Sequence, residues 1–261
     1  MKKLLKLMVP VVALAIGFAS CDKATTTTTP TTTTPTPTTP TAPTPVTPNL
    51  GNFWGVMAAI QMEFSYSNAQ VPFPVTISSD VAVASFYNSG TGGGSMVDAG
   101  SVSVNGNSMN KQTNNSYLND PMKLDLGFSN GAVDWSVAGG NGIPAISYSH
   151  TGSFPAYSST LPTSIDKSKD LDIDLGSKVS GADSVYVVIV TSSETIIKRY
   201  KGNPAPSKAT ITASEMSNLP TVSDNTAYLE IVPFTYKMPN VGGKQFVAIK
   251  EAAVVSGVNI N

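Results

Sequence analysis

Cysteine and histidine are almost missing from this chain: each occurs once in 261 residues, as Cys21 and His150. One cysteine excludes an internal disulfide framework. One imidazole leaves little material for a histidine-rich metal centre or a histidine-based triad, and no cofactor is expected. Charge is scarce too, at 13% Asp, Glu, Lys and Arg, against roughly 25% in ordinary soluble chains. That composition excludes a highly charged disordered polymer. With 16 Lys+Arg against 17 Asp+Glu, no basic excess exists to neutralise phosphates, so nucleic acid is not an expected partner. Long apolar runs are also lacking. The longest, residues 7–18, has about a dozen residues where a bilayer span needs about 20.

That short run has a particular setting. Met1-Lys2-Lys3-Leu4-Leu5-Lys6 is a positive n-region, residues 7–18 form an apolar h-region, and the small residues Ala19-Ser20 precede Cys21. The order is that of an export signal. Phe18-Ala19-Ser20-Cys21 resembles the lipobox of bacterial lipoproteins, with Phe18 where that family most often has Leu. The resemblance covers this segment alone. It implies removal of residues 1–20, a diacylglyceryl thioether on Cys21, acylation of its amine, and a lipid bilayer as partner. Several acyl chains on one residue give stable anchoring, since each buried methylene contributes about 0.8 kcal/mol. The expected location is the cell envelope, at the outer membrane or cell surface. Loss of Lys2, Lys3 and Lys6 leaves 13 Lys+Arg against 17 Asp+Glu, a net charge of −4.

Residues 24–48 contain 15 Thr and 7 Pro and no charge. Nothing in them can bury apolar surface, and the prolines favour extended polyproline conformations at about 3.1 Å per residue. Residues 21–48 therefore read as a lipidated cysteine followed by a stalk reaching on the order of 75 Å.

Beyond the stalk the hydrophobic period is two. Trp54, Val56, Ala58, Ile60, Met62 and Phe64 alternate with smaller or polar residues, the pattern of a half-buried strand. Further strands are predicted at 81–87, 102–104, 122–128, 133–137 and 146–150, and Asn105-Gly106 is a strong hairpin signal. Residues 158–169 break the rhythm, so a boundary is predicted there. Past it, strands are predicted at 171–175, 185–190, 196–200, 209–211, 228–234, 245–249 and 254–260. The capping-box pattern Thr212-Ala213-Ser214-Glu215 predicts one short helix through about Leu219. The expected fold is all-β: two antiparallel β-sandwich modules, residues 49–160 and 161–261. The second resembles immunoglobulin-like or fibronectin-like sandwiches by strand count only, and likeness at that level implies no function.

Chemical motifs are sparse. The run Gly90-Thr91-Gly92-Gly93-Gly94 lacks the following Lys-Ser/Thr of a phosphate loop and reads as a strand connection. Asp170, Asp172 and Asp174 share a strand face, but Gly and Glu are not where a calcium loop needs them. They read as a solvated face, with a calcium site the alternative. His150 has no G-x-S-x-G partner and reads as a residue at the rim of a strand end. Trp54 and Trp135 lie on apolar faces and read as core. Candidate ligand-binding aromatics are those in turns: Tyr117, Phe154 and Tyr157, because sugar rings stack on exposed aromatic faces and loops carry function. No catalytic residue or metal ligand is singled out. The expectation is a non-enzymatic, lipid-anchored surface protein displaying β-sandwiches for recognition or adhesion, with a glycan or protein as ligand. The alternatives are a structural accessory subunit of an envelope complex and an envelope glycan hydrolase.

Overall fold

The computed structural model describes residues 52–68, 71–91 and 94–261. Cys21, the lipobox and the stalk lie outside the described residues. The fold is all-β, with 54% of the described residues in strands. The longer strands are β1 (Gly55–Asn68), β2 (Val71–Phe86), β3 (Val102–Val104), β4 (Val133–Val137), β5 (Ile146–His150), β6 (Leu171–Asp174), β7 (Ser184–Val190), β8 (Thr195–Lys201), β9 (Lys208–Ile211), β10 (Val222–Lys237) and β11 (Val247–Ile260). The helix α1 (Ala213–Met216) is shorter than predicted but has its reciprocal capping box. The Thr212 hydroxyl accepts from the Glu215 amide, and the Glu215 carboxylate accepts from the Thr212 amide.

A nine-stranded sheet runs in the order β8-β7-β10-β11-β1-β2, then Tyr117–Leu118 and Asn110–Lys111, with Ser164–Ile165 joined to the end of β11. β1 and β2 form an antiparallel hairpin, whereas β1 and β11 pair in parallel from Val56↔Val247 to Ser65↔Ser256. Strands from either side of residue 160 are thus hydrogen-bonded neighbours in one sheet.

One face of that sheet carries two separate covers side by side. Near the N-terminal half, Met57, Ala59, Phe86 and Phe246 pack against Val104, Phe128, Trp135 and Ile146, under a small sheet of Asn107–Ser108, β3, β4 and β5. Towards the other end, Val187, Leu229, Ile231 and Val258 pack against Ile173, Ile211, Met216 and Leu219. Strand alternation then sends every second side chain to the opposite face. There Val56, Ile60, Val83, Val232, Phe234, Val247, Ile249 and Val255 form a third cluster. Its buried members belong to the sheet itself or to Phe53 and Tyr87 at its rim, and no residue of either cover joins it.

Lys250 fastens the sheet to the N-terminal cover. Its side chain is fully buried, and Nζ donates to the carbonyls of Gly131 (2.5 Å), Thr151 (3.1 Å) and Gly152 (2.7 Å). Burial holds its pKa below the usual lysine range. His150, expected at a rim, is instead buried. Burial, with Lys250 and Lys237 nearby, pushes its pKa down to about 4.

One predicted strand does not form. Residues 122–128 run as a loop ending in a 3-10 turn at Phe128–Asn130. The reason is local: the Asp80 carboxylate takes the Leu126 and Phe128 amides at 2.9 and 3.1 Å, donors that a strand would give to a neighbour.

Candidate functional site

The three aromatic candidates do not form one surface. Tyr117 is buried against the N-terminal cluster. Its hydroxyl accepts from the Ala99 amide at 2.9 Å and lies 2.9 Å from both Asp98 Oδ1 and the Gly100 carbonyl. Burial and the Asp98 carboxylate push its pKa up to about 12. Phe154 is half-buried, stacked on Phe128 with centroids 5.6 Å apart, with the Lys250 ammonium 5.3 Å from its ring. Tyr157 is buried in the C-terminal cluster. Trp135 is core as expected, whereas Trp54 is half-buried under the Lys244 ammonium, 3.4 Å from its ring.

The strand face of Asp170, Asp172 and Asp174 is engaged locally. Asp172 accepts from Lys208 and the Thr210 hydroxyl, both at 2.6 Å, and Asp170 accepts from the Ala213 amide at 2.8 Å. Among the described residues no group of three or more His, Cys, Asp or Glu is placed to hold a metal ion.

The loop that replaces the missing strand instead helps to shape an open recess of about 500 Å³, lined by Asn105, Asn107, Lys123, Asp125, Asn130 and Asp134, among others. The hairpin turn Asn105-Gly106 has positive φ at both positions, 46° and 75°, as that turn type requires. The Asn105 side chain ties the walls together: Nδ2 donates to the Leu126 carbonyl at 3.1 Å, and Oδ1 accepts from the Asp134 amide at 2.7 Å. Lys123 Nζ donates to Asn107 Oδ1, and the Gly127 amide donates to Asp125 Oδ1 at 2.8 Å. Beneath the loop, burial raises the Asp80 pKa, opposed by the two amides it accepts.

With the walls fixed this way, the Asn130 amide and Asp134 carboxylate remain without partners among the described residues. Met122 and Leu124 alternate with Lys123 and Asp125 and are 78% and 44% exposed. The recess thus offers amide donors and acceptors, carboxylates and one ammonium. Such a set orients a polar, hydroxyl-rich ligand. In the sequence these residues stand at turns and strand positions, and only the turns Asn105-Gly106 and Asn130-Gly131 signal any of them.

A second group of polar side chains lies on the sheet face away from the covers. Glu230 and Glu251 are fully buried, at 1% and 0% exposure. Glu230 Oε1 and both carboxyl oxygens of Glu251 have no hydrogen-bond partner among the described residues. Burial pushes each pKa up to about 8, and for Glu251 the nearby Glu230 adds to the rise. Arg199 is buried on the same face, with Nη2 donating to the Ser184 hydroxyl at 3.1 Å while Nε and Nη1 have no partner. Charged residues inside apolar strands were the sequence signal for this group, and alternation alone did not single them out.

No family model matches the chain, and no curated protein or solved structure matches it.

Proposed function

We propose that this chain is a lipid-anchored cell-envelope protein that binds a hydroxyl-rich ligand, a glycan or the polar surface of another protein, without catalysis. The observation that supports the reading best is the open recess at Asn105, Asn107, Lys123, Asp125, Asn130 and Asp134, where the Asn130 and Asp134 side chains have no partner among the described residues. Loops held by a rigid sheet are the usual carriers of binding function. The lipobox-like segment supplies the tether, and residues 24–48 supply the reach.

The reading is tested on the mature protein extracted from membranes in detergent. Mass spectrometry of its N-terminal peptide should find Cys21 acylated as the first residue. On a glycan array the protein should bind a restricted set of glycans, and Asn130→Ala with Asp134→Ala should lower that binding about tenfold or more, the scale of one or two lost charge-assisted hydrogen bonds. An unmodified secreted chain would remove the anchor. Binding indifferent to the two substitutions would remove the recess.

A further inference from the structure

The nine-stranded sheet ends differently on its two sides. One edge is Asn110–Lys111, two residues long, and a very short edge strand is one way a sheet avoids pairing with another chain. The other edge is β8, seven residues paired to β7 on one side and to no strand among the described residues on the other. Its hydrogen-bond phase is fixed at both ends. The Thr191 amide donates to the Glu194 carbonyl at 2.9 Å and the Gly202 amide to the Asp183 carbonyl at 3.0 Å. Between them the register is unbroken from Val190↔Thr195 to Ser184↔Lys201. Hydrogen-bonded and non-hydrogen-bonded pairs alternate in an antiparallel ladder. Ile196, Lys198 and Tyr200 therefore bond to β7, while Thr195, Ile197, Arg199 and Lys201 point their amides and carbonyls along the open edge.

The side chains do not close that edge. Thr195 and Lys201 are exposed, and Ile197, in the middle, is 52% exposed. The charges that commonly guard an edge strand are drawn away from this one. Lys198 is held by Glu215 at 2.6 Å and by the Thr210 carbonyl at 2.8 Å. The Arg199 guanidinium lies over the rings of Tyr186 on β7 and Phe234 on β10, 5.9 and 5.7 Å from their centroids, which is inward from the edge.

The strand also complements itself. Two copies related by a twofold axis at Ile197 set Ile197 against Ile197, Thr195 against Arg199, Ile196 against Lys198 and Ser193 against Lys201. No like charges are opposed, and Glu194 falls diagonal to Lys198, within reach of a long side chain. Moving the axis to Lys198 or Arg199 opposes like charges. Moving it to Ile196 or Thr195 separates the two Ile197 side chains and carries Tyr200 onto or beyond the other copy's turn at Ser192-Ser193. We infer that a second copy of this chain docks here, β8 antiparallel to β8 about Ile197, so that one continuous sheet runs through both copies. The contact is isologous and consumes the open edge of each copy, so it closes at two. A single short strand from each copy makes a small interface, and the association is reversible.

This edge is separate from the recess, so failure of one leaves the other standing. The test uses the mature protein in excess density-matched detergent, with mass read by sedimentation equilibrium over a wide range of concentration. A monomer–dimer equilibrium is expected. Ile197→Pro should weaken it about tenfold or more, the scale of the two hydrogen bonds lost from the central pair. The hairpin survives that change, because the Ile197 amide gives β7 no bond and proline is tolerated with its nitrogen at an open edge. Ile197→Lys, which opposes two ammoniums at the axis, should weaken the dimer too and stands in if the proline variant does not fold. Hydrogen exchange at single amides gives a second readout. Exchange at Thr195, Ile197 and Arg199 should slow as concentration rises, while Ile196, Lys198 and Tyr200 stay slow throughout. A monomer at every concentration, assembly beyond two copies, a dimer indifferent to both substitutions, or exchange at Ile197 independent of concentration would overturn the proposal.

Discussion

Single buried polar groups decide much of this molecule's behaviour. Tyr117 reads in the sequence as an exposed aromatic among amides, yet its hydroxyl knits Asp98, Ala99 and Gly100 to the end of the central sheet. Tyr117→Phe leaves the Ala99 amide without its acceptor, a loss of about 1–2 kcal/mol. Chemical denaturation should show that loss, and binding at the recess should not change. The buried glutamates give a pH signature. Their folded pKa values are raised above the unfolded one, so the folded state holds more protons than the unfolded state between about pH 4.5 and pH 8. Stability is therefore fullest at the acid end of that window and falls as pH rises through it. His150, with a lowered folded pKa, acts oppositely: its contribution is complete above about 6.5 and is lost as pH falls toward 4. Urea titrations from pH 5 to 8.5 should show declining stability, and Glu230→Gln with Glu251→Gln should flatten the decline. A rising curve over that range would mean the carboxyls are ionised in the fold.

At the scale of elements, the loop at residues 122–128 shows how a strand pattern is overridden. Met122, Leu124, Leu126 and Phe128 alternate with Lys123 and Asp125 as a strand would, but one carboxylate withdraws two of the amides needed for a ladder. Asp80→Ala should free those amides, costing about 2 kcal/mol, and speed hydrogen exchange at Leu126 and Phe128. Because the same loop walls the recess, ligand binding should fall with it. Unchanged exchange would show that the loop is held some other way. Most other strands were legible, because alternation reports which side chains a pleated chain buries whatever its partners. What alternation does not report is who the partners are. Lys250 and Glu251 interrupt an apolar run and suggest two strands, 245–249 and 254–260, where the structure has one, Val247–Ile260. The ammonium meets three carbonyls on one face and the carboxyl lies among apolar residues on the other, so the backbone continues straight through. The recess was illegible for a related reason: it is built by residues far apart in sequence, such as Asn105, Asn130 and Asp134, meeting across a hairpin.

The whole molecule turns on one long-range pairing. β1 and β11 lie almost two hundred residues apart and form a parallel ladder from Val56↔Val247 to Ser65↔Ser256, flanked by the β1–β2 hairpin and by β10. Without β1, residues 161–261 would present β11 as a bare edge strand, and the apolar side chains that β1 sets beside Val247, Ile249 and Val255 would be gone. A long, apolar edge of that kind favours aggregation over independent folding. The covers are separate, but the sheet they share makes their stabilities inseparable. Calorimetry should therefore show one transition whose van't Hoff and calorimetric enthalpies agree, and residues 161–261 expressed alone should fail to give a dispersed amide spectrum. Supplying residues 49–160 in trans should restore part of that dispersion, because the missing partner of β11 returns with β1. Two resolved transitions, or a well-folded C-terminal fragment, would show that the parallel ladder joins two bodies that had already folded on their own.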